Sequence, residues 1–282
     1  MTRAPAKAKS KSGGGPIRVG VGGWTYEPWR GLFYPEGLKH ADELKYAGEH
    51  LTAIEINGTF YRTQSAKSFA KWRDETPDGF VFSVKGHRAV VNKSKLAEAG
   101  EGIDWFLKSG LLELGEKLGP LLWQFAPFKR FNAEDFGAFL ALLPKETGGR
   151  KLSHVVEVRH QSFVVPECVD LLRKHEVAVV YAESDDYPAV ADVTGDVVYA
   201  RLQRSRESEP TGYSPKELDL WAERACVWAA GGVPEGLPTI GKSLPKAGSR
   251  PVFIFMISGH KPHDPAAAMA LIERVGRPDK GA

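Results

Sequence analysis

Cysteine is nearly absent. Only Cys168 and Cys226 occur in 282 residues, which excludes a disulfide framework, a cysteine-based zinc site or an iron–sulfur cluster as the organising feature. Long apolar runs are missing too. No stretch approaches the roughly 18 residues that cross a bilayer, so no membrane association is expected. The N-terminal segment has no apolar run of the kind a secretory signal carries, and a cytoplasmic location is the default expectation. A dinucleotide fingerprint is lacking, because Thr25 stands where the third glycine after Gly20 and Gly22 belongs.

Two further motifs look like chemistry and fail on context. Residues 236–243 fit the phosphate-loop spacing, with Gly236, Gly241, Lys242 and Ser243 in place. That motif needs a buried strand before it and a helix after it. Here a helical, Gly-rich stretch precedes it and Pro245 follows two residues after Ser243. His260, His263 and Asp264 invite a metal reading that His87 or His160 would complete, but no His-x-His pair marks the first strand and a polar loop accounts for them as well. No cofactor and no metal are assigned.

What is present is an ordinary globular composition, 42% hydrophobic and 26% charged. The formal charge of +3 is unevenly placed. Arg3, Lys7, Lys9 and Lys11 fall in the first 16 residues without a single acid, and the remaining chain holds 34 basic against 35 acidic residues. Residues 1–16 are too polar and too small to bury surface that offsets their ordering, so they read as a disordered basic tail. It serves either as a solubilising arm or as a weak anchor for nucleic acid or a partner.

From Ile17 onward, β-type runs alternate with amphipathic segments. Strands are predicted at 17–22, 52–57, 80–85, 120–125, 154–159, 177–183, 196–202 and 251–257. Helices are predicted at 41–50, 66–75, 105–117, 133–142, 166–174, 215–228 and 265–274. Asn132 and Ser214 are expected caps, the latter followed by Pro215. Such alternation indicates α/β architecture with parallel strands and crossover helices. Eight strands with a helix after the last predict a single TIM-type (β/α)8 barrel over 17–276, with 277–282 as a short C-terminal tail. An open doubly wound sheet is the alternative. Residues 185–196 are too short for a full helix, and 230–250 read as a long Gly- and Pro-rich surface loop.

Polar residues interrupt strands that ought to be apolar throughout when helices flank them. Residues two apart share a face, and this pairs Glu55 with Asn57, Ser83 with Lys85, Glu157 with Arg159 and Tyr199 with Arg201, with Gln124 at the end of the fourth strand. In a barrel these positions converge on the C-terminal mouth, where active sites lie. A purely structural account is an ion-pair network such as Glu157–Arg201 or Glu55–Lys85. So many polar groups at one end favour a ligand site. Aromatic residues crowd the first two loops. Phe33, Tyr34 and Phe60 are expected to pack, whereas Trp24, Tyr26 and Tyr61 are placed to stack on a flat ligand.

Several of these motifs together resemble the YecE-like family, domain of unknown function 72. They are Gly23-Trp24-x-Tyr26-x-x-Trp29-x-Gly31-x-Phe33-Tyr34-Pro35, Glu55-x-Asn57-x-Thr59-Phe60-Tyr61, Thr76-Pro77-x-x-Phe80-x-Phe82-x-x-Lys85, Gln124-x-x-Pro127, Glu157-x-Arg159-His160 and Tyr199-x-Arg201, with Trp72. The resemblance implies a TIM-type barrel and no particular activity. Two positions depart from it. After Arg201 the family usually continues to His-Gly, where this chain has Leu202-Gln203-Arg204. Near the eighth strand the family tends to show an aromatic followed by Asn-Asn, where this chain has Ser258-Gly259-His260 after Phe255, Met256 and Ile257.

The functional expectation is an enzyme of hydrolase or isomerase type acting on a small polar or anionic substrate. Lys85, Arg159 and Arg201 would hold a carboxylate or phosphate. Glu55 or Glu157 would serve as general acid or base, with Lys85 in the catalytic group. Asn57 and Gln124 would orient the substrate, with Trp24, Tyr26, Tyr61 and His160 around it. A glycosidase needs two carboxylates about 5–10 Å apart, and three basic neighbours suit an anion better than a neutral sugar. The alternative is a non-catalytic module for nucleic acid or a partner, drawing on the tail and on Arg201, Arg204 and Arg206. A scaffold with a self-satisfied mouth is the third reading.

Overall fold

A computed structural model describes residues 14–242 and 248–279. Eight parallel strands close into one barrel: β1 (Ile17–Gly22), β2 (Ala53–Ile56), β3 (Val81–Lys85), β4 (Leu118–Gln124), β5 (His154–Glu157), β6 (Ala178–Glu183), β7 (Val198–Leu202) and β8 (Val252–Met256). Each strand pairs with its sequence neighbours, and β8 returns to pair with β1 from Ile17↔Val252 to Val21↔Met256. That last pairing excludes the open sheet, which leaves two strand edges unpaired.

Alternation along the strands separates two cores. Ala53, Val81, Leu122, Val155, Ala178, Val180, Tyr199, Phe253 and Phe255 fill the barrel interior. Val19, Val21, Ile54, Ile56, Phe82 and Val84 face outward into the helix layer. Gly20 and Gly22 on β1 are required by close approach. A Cβ on Gly20 would stand 1.8 Å from the Ala53 carbonyl oxygen, and one on Gly22 would stand 2.9 Å from the Asn57 amide nitrogen.

The helix layer comprises α1 (Glu43–His50), α2 (Ala66–Asp74), α3 (Arg88–Val91), α4 (Gly100–Leu107), α5 (Ala133–Leu142), α6 (Pro166–His175), α7 (Pro215–Ala229) and α8 (Asp264–Val275). Asn132 caps α5 by accepting from the Asp135 N–H. Ser214 and Glu217 form a capping box on α7, with Pro215 at its first turn. One predicted helix is wrong. Residues 105–117 split into the end of α4 and a 3-10 segment, Leu111–Lys117, because Gly110 turns left-handed at φ 102° and Gly115 at φ 55°. A short antiparallel pair, Glu146–Thr147 with Arg150–Lys151, was not anticipated.

The 185–196 connection carries no helix. Thr194 secures it instead, its hydroxyl donating to the Val177 carbonyl and accepting from the Val179 N–H. Of the predicted basic tail, residues 1–13 lie outside the described residues. Gly15 and Pro16 dock at the N-terminal end of the barrel through Gly15 N–H to Ala229 and Val252 N–H to Pro16. At the other terminus Arg277 donates to the carbonyls of Glu49, His50 and Leu51. Among the described residues, no helix is long and apolar enough to cross a membrane.

Candidate functional site

The polar layer rests directly on the apolar barrel interior. Register sets its height: Glu55 stands opposite Ser83, and Gln124 opposite Glu157. Arg201 stands between Ala182 and Phe255 on the neighbouring strands. Asn57 and Arg159, predicted inside strands, fall just past the ends of β2 and β5.

Arg201 is the hub. Its Nε and Nη2 each donate to Glu55 at 3.1 Å, and Nη1 donates to Glu157 at 2.6 Å. Tyr199 adds a hydrogen bond from its hydroxyl to Glu55 at 2.7 Å, and the Ser83 hydroxyl lies 2.8 Å from that phenol oxygen. Glu157 also accepts from Gln124 Nε2 at 2.6 Å and from Arg159 Nε at 2.9 Å. The Lys85 ammonium donates to Gln124 Oε1 at 2.7 Å and sits 4.5 Å from the centre of the Phe60 ring. Glu55 and Glu157 are fully buried, while Lys85 retains 8% exposure. Arg159 retains 18% on its side chain and stacks on Tyr187 at 4.2 Å.

The electrostatics follow from burial and pairing. Burial alone would raise the Glu157 carboxyl, but Arg201, Arg159 and the Gln124 amide outweigh it and hold the pKa below the usual range. Burial works against the Arg201 cation as well, and the two carboxylates more than restore it. Burial, then the Arg201 charge, pulls Lys85 down to about 8. Tyr199 is pushed well up by burial and by Glu55.

The structure therefore joins Glu55, Lys85, Gln124, Glu157, Arg159 and Arg201 in one network and corrects one detail of the sequence reading. Glu55 pairs with Arg201, not with Lys85, since no carboxylate of the described residues lies within 4 Å of the Lys85 nitrogen. Three of the five Arg201 N–H donors are engaged by the two glutamates. Asn57 is half-buried at the edge, its amide 3.5 Å from the Glu55 carbonyl. The aromatic residues divide differently than expected. Trp24 packs edge-on against Trp72 and Phe82, in the helix layer. Tyr26 meets Trp29 and lies 4.2 Å from the Lys261 ammonium. Tyr61 is 67% exposed beside Arg88. His160 caps the turn after β5, its Nδ1 accepting from the Ser162 N–H. Phe60, assigned to packing, is the ring under Lys85.

Tyr187 escaped the sequence reading altogether. It lies in a connection without periodicity, and only the fold brings it to Arg159. Gln203 follows directly on the end of β7, two residues past Arg201. Its Nε2 is buried without a hydrogen-bond partner among the described residues.

A family model for "Protein of unknown function DUF72" matches residues 18–282. The chain belongs to the DUF72 family. Curated relatives at this level of similarity include the UPF0759 protein YunF of Bacillus subtilis strain 168, 26% identical, covering 53% of each chain. The UPF0759 protein YecE of Escherichia coli strain K12 is 27% identical over 52% of this chain and 50% of its own. The matched region thus spans about half the length of these relatives. Among solved structures, a DUF72 family protein of Thermotoga maritima MSB8 superposes with TM-score 0.67 at 24% identity, covering 92% of this chain and 98% of that one. A DUF72 family protein of Enterococcus faecalis V583 gives TM-score 0.68 at 16% identity, covering 93% and 96%. These likenesses establish the DUF72 barrel and carry no activity.

The phosphate-loop backbone is occupied from within, since the Ile240 and Gly241 N–H groups donate to the Asp192 carboxylate at 2.7 and 3.0 Å. Ser243 lies outside the described residues. Among the described residues, no group of three or more His, Cys, Asp or Glu side chains is placed to hold a metal ion. The arginines after β7 are neutralised, Arg204 by Asp185 at 2.6 Å and Arg206 by Glu217 at 2.5 Å.

Proposed function

We propose that this DUF72 barrel is an enzyme acting on a small anionic substrate at its C-terminal mouth, by hydrolysis or isomerisation. One observation carries the reading. Three cationic side chains face two carboxylates: Arg201 engages both and Arg159 shares Glu157 with it, so one positive charge is in excess at the level of Lys85 and Arg159. They are also more open at the mouth than Arg201. A carboxylate or phosphate is the group that such an excess selects.

The roles follow from the geometry. Glu55 and Glu157 hold Arg201, Arg159 and Gln124 in place, so the network is preorganised before substrate arrives. Gln124 and Asn57 orient substrate oxygens. Proton transfer falls to Lys85, whose pKa of about 8 lies nearest the working range of the groups in the mouth. Glu157, held low by its arginines, stays ionised and positions its partners. The test is calorimetric titration with phosphate, citrate and 2-hydroxy acids. Binding of at least one is expected, weakened tenfold or more in Arg159→Ala and Lys85→Ala, about 1.4 kcal/mol. Equal affinity in wild type and both variants refutes the site.

A second reading has one specific observation in its favour. Tyr61, Phe128 and Trp105 are 67%, 73% and 49% exposed, with Arg88, Lys129 and Arg130 among them on the segments that follow β2, β3 and β4. Exposed rings between basic side chains suit single-stranded nucleic acid. A salt titration with a short oligonucleotide decides: no affinity at low salt removes this reading.

A further inference from the structure

We propose that Lys85 is a covalent nucleophile that condenses with the carbonyl carbon of a small oxo acid to form an imine. The inference rests on the anion-binding reading of the mouth and goes beyond it, since it names both the substrate class and the bond.

The geometry around the nitrogen is that of an amine held ready. Lys85 is the last residue of β3, at the C-terminal end of a barrel strand. Its backbone is pinned there by the Thr59 hydroxyl, which donates to the Lys85 carbonyl at 2.6 Å. Its side chain is buried, yet it has no carboxylate partner within 4 Å among the described residues, though two glutamates lie in the same layer. Arg201 has drawn both of them away. Gln124 stands between Lys85 and Glu157, accepting from the ammonium at 2.7 Å and donating to the carboxylate at 2.6 Å. An amide in that position binds the amine without the full charge that would fix it as an ammonium ion. On another side lies the Phe60 ring.

The charged groups that act on Lys85 are Arg201, Glu55, Glu157 and Arg159, and burial with Arg201 wins. A lysine desolvated beside a second cation is the arrangement that supplies free amine near neutral pH. A carboxylate or phosphate on the substrate would be held by Arg159, whose Nη2 makes no hydrogen bond among the described residues.

The step balances without a co-reactant. The amine nitrogen attacks the carbonyl carbon, a C–N bond forms, and the carbonyl π electrons pass to oxygen to give a carbinolamine. The oxygen takes protons, the C–O bond breaks, and water leaves as the C=N bond forms. An ammonium ion and a carbonyl have become an iminium ion and one water. The iminium then draws electrons from the neighbouring carbon, which serves isomerisation and carbon–carbon cleavage alike.

The experiment uses the full chain with pyruvate or glyoxylate and sodium cyanoborohydride at pH 7–8, followed by peptide mapping. Phosphate and pyruvate binding are measured in parallel by calorimetry. The expected result is one reduced adduct per chain on Lys85, formed about tenfold or more faster than on exposed Lys45 or Lys67. It should vanish in a folded Lys85→Arg variant, and excess phosphate should slow it. Adducts spread over surface lysines without excess at Lys85 overturn the imine. If pyruvate or phosphate still binds in that case, the anion site stands and only the covalent step falls. If neither binds and no adduct forms, both fall.

Discussion

Arg201 reaches across the barrel from β7 to β2 and engages both carboxylate oxygens of Glu55, while its remaining terminal nitrogen engages Glu157 on β5. One side chain thus ties three strands at the level where the interior changes from apolar to polar. Removing it would leave the buried Glu55 carboxylate without a cation and Glu157 with Arg159 alone. Arg201→Met is expected to lower stability by about 3–5 kcal/mol in urea unfolding, the usual cost of breaking a buried pair from one side. Adding Glu55→Gln should return part of that loss. A cost below 1 kcal/mol for Arg201→Met would mean the network is not what holds the mouth.

Lys85 gives the mouth a pH signature. Its folded pKa of about 8 lies below the ordinary value of 10.5, so between those limits the unfolded chain binds more protons than the folded one. Stability contributed through this group therefore rises with pH from about 8 to 10.5. Wild type and Lys85→Met should be unfolded in urea at intervals across that window. The difference between them should move in favour of wild type as pH rises. A difference that stays constant places Lys85 in an ordinary solvated environment.

The barrel and the heart of its mouth were legible in the chain because a parallel strand between helices should be apolar, and Glu55, Lys85, Glu157 and Arg201 are conspicuous violations at even spacing. Period two also fixed which residues share the interior face. Pairing was not legible, since spacing along a strand says nothing of which strand lies across the barrel. Arg201 therefore took Glu55 from Lys85 unannounced. Trp24 shows a different limit: proximity to a strand end does not say which way a side chain leaves the turn, and its ring went to Trp72. Tyr187 sits in a segment with no periodicity to read, and Gly110 broke a helix whose apolar spacing continues past it.

Asp264, the first residue of α8, carries a second titration of opposite sign. Burial pushes its carboxyl up to about 8, against the opposing Ser205 hydrogen bond. The Asp264 Oδ1 and Ser205 Oγ lie 2.9 Å apart, and Ser205 Oγ lies 3.0 Å from the Ser258 carbonyl. The one hydroxyl hydrogen of Ser205 serves either the Asp264 carboxylate or the Ser258 carbonyl, and a proton on Asp264 frees it for Ser258. The folded state then binds more protons than the unfolded one between about 4 and 8, and this contribution to stability falls as pH rises through that range. Asp264→Asn should flatten the slope in a series of thermal melts from pH 5 to 8.5. A slope unchanged by the substitution would show that Asp264 is ionised throughout.

Gln203 separates function from stability. Its buried Nε2 has no partner among the described residues, and it stands two residues past Arg201. A buried donor left unpaired costs about 1–3 kcal/mol, and under the proposed function the bound anion supplies the missing acceptor. Gln203→Leu should therefore leave the unliganded protein as stable as wild type or raise its midpoint in thermal melts. The same variant should weaken binding of whichever anion the calorimetric panel identifies. Loss of stability with binding intact would instead mean that Gln203 is satisfied within the fold and has no part in recognition.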